Sequence, residues 1–327
     1  MKKIILLLLC LCLGCSTQPS ELSIWLKPNG KIKILSTIGM IEDLVKQVGG
    51  DRVDTLTLVK GELDPHSYQL VKGDDEKLAY ADIVFYNGLG LEHSPSLRQS
   101  LESHPKAYGL GDWILAHDPS LILTYNGTVD PHIWMDASLW AQTIIKIVEV
   151  LSENDPEHAK DYQSRGEALY RELIDAHFEL QHLMQEVPSK KRYLVTSHDA
   201  FNYFARAYLA ADREIEDGSW QKRFAAPEGL APESQLSAAD IRLILDHMKK
   251  YKIRVIFPES NVSRASIRKL KDAGNEEGLN LEIAPGPLYG DAMGPPGSSG
   301  DTYLKMLVHN VRLIAKYLNK NGEDNEG

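Results

Sequence analysis

Three histidines stand in settings suited to holding a metal ion. Asp64-Pro65-His66-Ser67-Tyr68 and Asp130-Pro131-His132-Ile133-Trp134 each place a His directly after the same Asp-Pro pair. Proline fixes its own φ and biases the preceding residue toward an extended form, so both imidazoles sit on stiffened loops. Thr196-Ser197-His198-Asp199 sets a third His just beyond the expected strand Tyr193–Ser197. That is the carboxyl edge of a parallel sheet, where open α/β units place ligands. A fourth candidate, Asp301, ends the Pro/Gly-rich loop that begins at Pro285. It serves either as a carboxylate ligand or as the N-cap of the helix expected over Thr302–Leu318. Neutral imidazole nitrogen binds Zn, Fe or Mn at about 2.0–2.2 Å, and a carboxylate adds a hard oxygen with one negative charge. Ligands at positions 66, 132, 198 and 301 come together only when both ends of the chain fold against each other.

Outer carboxylates are a second set of candidates. Asp64, Asp130 and Asp199 are placed either to accept the far N–H of an imidazole or to close a turn on their own backbone. Glu259, beyond the strand expected at Arg254–Phe257, has the same two options, orienting an imidazole or staying solvated. His158, His177, His182, His247 and His309 fall in helical segments among charged residues and read as solvated. Gly88-Leu89-Gly90-Leu91-Glu92-His93 looks like a phosphate loop but lacks the third Gly.

The elements that must position these residues alternate short β-rich runs with helical ones. The pattern predicts strands at Lys31–Leu35, Val53–Val59 and Ile83–Asn87, with helices near Met40–Val48 and residues 74–80. A second set starts at Tyr193–Ser197 and closes with the helix Thr302–Leu318. Such alternation points to βαβ units with mostly parallel sheets. Between the sets, Tyr162, Gly166, Leu169, Leu173, Ala176, Leu180, Leu183 and Val187 recur at spacings of 4 and 3. A helix over 155–188 follows, begun by Asp155-Pro156 and ended by Pro188. It is either a coiled-coil seam or a spine packed across two lobes; the flanking α/β sets favour the spine. The expected fold is α/β, two mostly parallel-sheet lobes (31–154 and 189–320) joined by one long helix.

The chain has 327 residues and a net charge of −10, from 36 Lys and Arg against 46 Asp and Glu. That balance excludes a general nucleic-acid binder. The three Cys are Cys10, Cys12 and Cys15, which removes any disulfide framework or Cys-based zinc site from the folded body. Lys2 and Lys3 precede the apolar run Ile4–Leu13, too short to span a bilayer, so residues 1–15 read as an export signal. Gly14-Cys15 resembles a lipoprotein processing site with Cys15 as the lipidation candidate, residues 16–30 as a tether and 321–327 as a polar tail.

At these motifs the sequence resembles the TroA-like metal-binding family of solute-binding proteins of bacterial ABC importers. The resemblance extends to Asn87-Gly88-Leu89-Gly90-Leu91-Glu92, Ile256-Phe257-Pro258-Glu259 and Gly300-Asp301-Thr302-Tyr303. It implies a metal cleft between the two lobes, with His66 and His132 as ligands from the first lobe, and His198 and Asp301 from the second. It further implies one divalent transition ion (Zn2+, Mn2+ or Fe2+) as cargo, an exported and periplasmic monomer, and a permease with its ATPase as partners. The segment Ala116–Val129 lacks the long His-rich loop of zinc-specific members, and His198 stands where several manganese-selective members have Glu. Competing functions are an exported zinc-dependent hydrolase, a metal-stabilised surface adhesin, and a carrier of siderophore or cobalamin.

Overall fold

The structure is a computed structural model and describes residues 20–125, 127–231 and 237–320. The expected export signal, Cys15 and the polar tail lie outside the described residues. The first lobe carries a parallel sheet in the order β2-β1-β3-β4, from β1 (Ile32–Ser36), β2 (Val53–Thr57), β3 (Ile83–Tyr86) and β4 (Ala107–Gly109). A two-residue period sends successive side chains to opposite faces. Ile34, Ile83 and Phe85 therefore enter the central core, while Leu35 and Val84 join an outer cluster with Trp25, Leu78 and Leu97. Helix α1 (Glu21–Trp25) closes that outer face, and α2 (Gly39–Gly49) covers the inner one. α3 (Asp74–Tyr80), α4 (Pro95–Ser103) and α5 (Leu110–His117) complete the lobe, followed by the hairpin β5 (Thr124–Tyr125) and β6 (Thr128–Val129).

The second lobe repeats the plan with shorter strands. β7 (Leu194–Val195) pairs parallel with β8 (Phe224–Ala225), and β9 (Val255–Ile256) with β10 (Glu282–Ile283). Phe257 N, just past β9, donates to Val195 O at 2.8 Å and sets the two pairs side by side. Between β7 and β8 lie α8 (Asn202–Phe204), one wide turn of helix over Ala205–Leu209, and α9 (Asp212–Glu216). α10 (Ala238–Tyr251) and α11 (Ala265–Glu276) cover the outer face, where Leu245, Met248, Ile267 and Leu270 pack on Val195 and Ile256.

Three long helices bind the lobes together. α6 (Ala137–Asn154) and α7 (Ala159–Gln185) pack along each other, and α12 (Tyr303–Lys320) returns against α7 and α2. Gly166 allows the close approach of α6: a Cβ there would meet Val148 Cγ2 at 2.4 Å. α7 is 27 residues, about 40 Å at 1.5 Å per residue. Its buried residues are Tyr162, Gly166, Leu169, Leu173, His177, Leu180 and Met184. This departs from the expected stripe in its second half, where Ala176 and Leu183 give way to His177 and Met184. A strict seven-residue repeat would keep the original stripe and supercoil; a drift to about 3.6 residues marks a straight rod buried across both lobes. The spine is therefore the form adopted, and one continuous core runs from Ile34 through α6 and α7 to Leu318.

His177 is a correction to its solvated reading. It is buried, with Nδ1 3.2 Å from Asp136 Oδ1 and 3.3 Å from the Tyr208 hydroxyl. Asp136 caps α6 through Ser138 N and Leu139 N, and Tyr208 accepts from Ala137 N. Among the described residues no helix is long and apolar enough to cross a membrane.

Candidate metal centre

Each lobe delivers two side chains to one point. His66 sits on the segment after β2, held by Asp64, whose Oδ1 accepts from His66 N (2.9 Å) and Oδ2 from Ser67 Oγ (2.7 Å). Asp64 thus closes a turn on its own backbone and does not touch the imidazole. Asp130 does both tasks in the other Asp-Pro-His motif. Its Oδ1 accepts from His132 N (2.9 Å) and lies 2.7 Å from His132 Nδ1, while Oδ2 accepts from Asn202 Nδ2 (3.0 Å). With Nδ1–H given to Asp130, Nε2 is the His132 atom left to ligate a cation once its proton is displaced.

The Asn87–Glu92 motif serves this loop and no phosphate. Glu92 accepts from Asn87 N, Gly88 N and Thr37 Oγ1, and Asn87 Nδ2 donates to Pro131 O at 3.0 Å. Gly88 is required there: φ is +75°, and a Cβ would fall 2.3 Å from Asp112 Oδ2.

In the second lobe three acceptors stand at the carboxyl edge of the sheet. His198 follows β7 and bridges Glu228; Glu259 follows β9 and bridges Leu288. Glu259 Oε1 accepts from Ser197 N and His198 N, both at 2.9 Å. Its Oε2 lies 2.7 Å from His198 Nδ1, an ion-pair distance off the N–H line, so neither atom completes an ordinary hydrogen bond. Asp291 comes three residues after Leu288. Asn261 Nδ2 donates to its Oδ2 (3.1 Å), and Trp134 Nε1 of the first lobe donates to Gly290 O (2.8 Å).

His66, His132, His198 and Asp291 are all buried and offer ligand atoms within 4.8 Å of one another. His66 Nε2 is 3.2 Å from His132 Nε2. Asp291 Oδ1 is 3.4 Å from His132 Nε2, and Oδ2 is 3.1 Å from His198 Nε2 and 3.8 Å from His66 Nε2. A tetrahedral ion with bonds of about 2.0–2.1 Å needs ligand atoms about 3.4 Å apart. The donor set fits such an ion in chemistry and in size. His198 Nε2 and Asp291 Oδ1 have no hydrogen-bond partner despite full burial, a costly state that a cation relieves.

Asp301 corrects the expected ligand set. It lies outside this group: Oδ2 accepts from Gly297 N (2.8 Å) and Oδ1 from Lys305 Nζ (2.8 Å). Nor is it the helix cap, since Thr302 Oγ1 accepts from Lys305 N and Asp43 of the first lobe accepts from Tyr303 N. The same loop holds two Gly-Asp pairs, Gly290-Asp291 and Gly300-Asp301. The signal that separates them is distance from the strand: Asp291 is close to the β10 edge, and Asp301 abuts the helix. Asp199 contacts no imidazole; its carboxylate lines a cavity beside the cage.

The electrostatics of the cage follow from three buried carboxylates, Asp130, Glu259 and Asp291, whose charged partners among the described residues are the imidazoles. Burial holds His66 down at about 3, with only Asp291 opposing. On His132 burial is outweighed by Asp130 and Asp291, which raise it to about 9. His198 is likewise carried well above the usual imidazole range, against burial, by Glu259 and Asp291. The imidazoles in turn hold Asp291 well below the carboxylate range despite its burial. Protons on His132 and His198 thus stand where a metal ion's charge would be. Asp199 is pushed up to about 7 by burial and the neighbouring Asp130.

The family model for the zinc-uptake complex component A, periplasmic (ZnuA), matches residues 34–317. The metal-binding protein YtgA of Chlamydia pneumoniae is 39% identical over 290 residues, 89% of this chain and 86% of that protein. The crystal structure of Fe(III)-bound YtgA from Chlamydia trachomatis superposes with a TM-score of 0.83 at 36% identity, covering 88% of this chain and 98% of that one. The periplasmic zinc-binding protein TroA from Treponema pallidum superposes at 0.79 with 30% identity, covering 88% and 99%. Matched through both lobes in sequence and fold, the chain belongs to the ZnuA family of metal-binding solute-binding proteins.

Proposed function

We propose that this chain is the extracytoplasmic substrate-binding component of an ABC importer, capturing a transition-metal ion (Zn, Mn or Fe) and handing it to a membrane permease. The observation that carries this reading is the convergence of His66, His132, His198 and Asp291 on one buried point. Membership of a periplasmic zinc-uptake family supports it. Four protein ligands saturate a small ion, whereas a catalytic zinc keeps one position open for water. The cage is therefore built to hold and release, and this favours a carrier over a hydrolase. Imidazole and carboxylate suit Zn, Mn and Fe alike, so the donor set defines the class of ion.

In this reading residues 1–15 direct export, Cys15 takes the lipid anchor, and the protein works as a monomer at the outer face of the cytoplasmic membrane. Asp130 and Glu259 orient His132 and His198. Elemental analysis after anaerobic titration of stripped protein tests the function. One ion per chain is expected, and steady turnover of ester or peptide substrates by the loaded protein would contradict it.

A further inference from the structure

The cage is reached from one identifiable side. A cavity of about 770 Å³ lies beside it, and of the four cage residues His66 alone lines its wall. Four further imidazole or carboxylate side chains line the same cavity: His93, Asp199, Glu228 and Asp240. The His93 ring centroid is 5.9 Å from that of His66. Glu228 is tied to the cage through its backbone bridge to His198. Asp199 is 6% exposed, yet among the described residues its carboxylate accepts no hydrogen bond and carries no ion pair. Asp240, another acid on the wall, is already engaged by Ser237 N and Oγ.

A hydrated ion cannot enter a buried four-ligand cage in one step, because its waters must be exchanged for protein atoms in turn. Charged walls also raise the local concentration of a cation. We propose that His93, Asp199 and Glu228 form an intake station for a partly hydrated divalent transition-metal ion, from which His66 draws it into the cage. This rests on the metal-capture reading above and adds a route and an order of ligand exchange. Asp199 and Glu228 supply charge and oxygen, and His93 supplies a nitrogen next to the first cage imidazole.

The test is stopped-flow uptake of Zn2+ by stripped full-chain protein, followed through Trp134, whose ring lies 5.3 Å from that of His132. His93→Gln and Asp199→Asn are expected to slow association by about tenfold each while one equivalent of zinc is still bound at saturation. His104→Gln, whose ring bonds Leu78 O far from the cavity, should match the parent. Association rates within about twofold of the parent in both variants, or changes confined to dissociation, overturn the proposal. If Asp199→Asn fails to load, His93→Gln decides alone. A parent that takes up no zinc overturns the functional reading, and this one with it; normal loading with unchanged rates overturns this one alone.

Discussion

Two buried His–carboxylate groups bridge the lobes, and they differ in one respect. At His177 the imidazole meets Asp136 and Tyr208, and Asp136 also caps α6, so the polar groups are mutually satisfied. At the cage, three imidazoles face one carboxylate, and His198 Nε2 and Asp291 Oδ1 are left without hydrogen bonds. Both groups sit in the same packed core. A satisfied cluster ties the fold together; an under-satisfied one marks the place where something else binds.

The comparison breaks most sharply at the direct ligands. Asp291→Ala or His132→Ala should weaken zinc binding by more than about 100-fold, since loss of even outer-shell partners costs about 10–100-fold. With metal at about 100 times the parent's Kd, the parent gains about 2.7 kcal/mol of stability by mass action, and the variants should gain almost none. Thermal unfolding with and without zinc reads this directly. Next come Glu259→Gln and Asp130→Asn, expected to weaken binding about 10–100-fold with stoichiometry kept; calorimetric titration would show it.

Acidity acts through the same imidazoles. His132 is raised to about 9 in the free cage, so metal must displace a proton from it at neutral pH. Apparent affinity therefore rises with pH up to about 9 and falls as pH drops, by about tenfold per unit for each proton displaced. His66, held near 3, adds no slope there. Equal affinity at about pH 5 and about pH 7.5 would contradict imidazole ligation. The smallest effect on binding is expected at the satisfied cluster. His177→Leu should cost about 1–3 kcal/mol in denaturant unfolding of the metal-free protein and leave zinc stoichiometry unchanged.

Much of this arrangement is legible in the sequence, and the failures have physical causes. The three imidazoles stand out because proline-stiffened loops and a strand end are local features. The two Asp-Pro-His motifs look alike, yet Asp130 reaches its imidazole and Asp64 does not. Asn202, from the other lobe, holds one Asp130 oxygen, while Ser67 takes the corresponding oxygen of Asp64. That difference is tertiary and leaves no trace in the local motif. Asp301 is preferred by sequence because Gly-Asp before a helix looks positioned, whereas Asp291 is fixed by Trp134 binding Gly290 O across the lobes. His177 escapes notice because the helical period drifts off the seven-residue stripe along α7.

Anomalous diffraction from crystals of the zinc-loaded protein tests the cage most directly. The arrangement predicts one strong peak bonded by His66, His132 and His198 Nε2 and by Asp291, with none near Asp301. A peak elsewhere, or one that leaves any of these imidazoles uncoordinated, would contradict it.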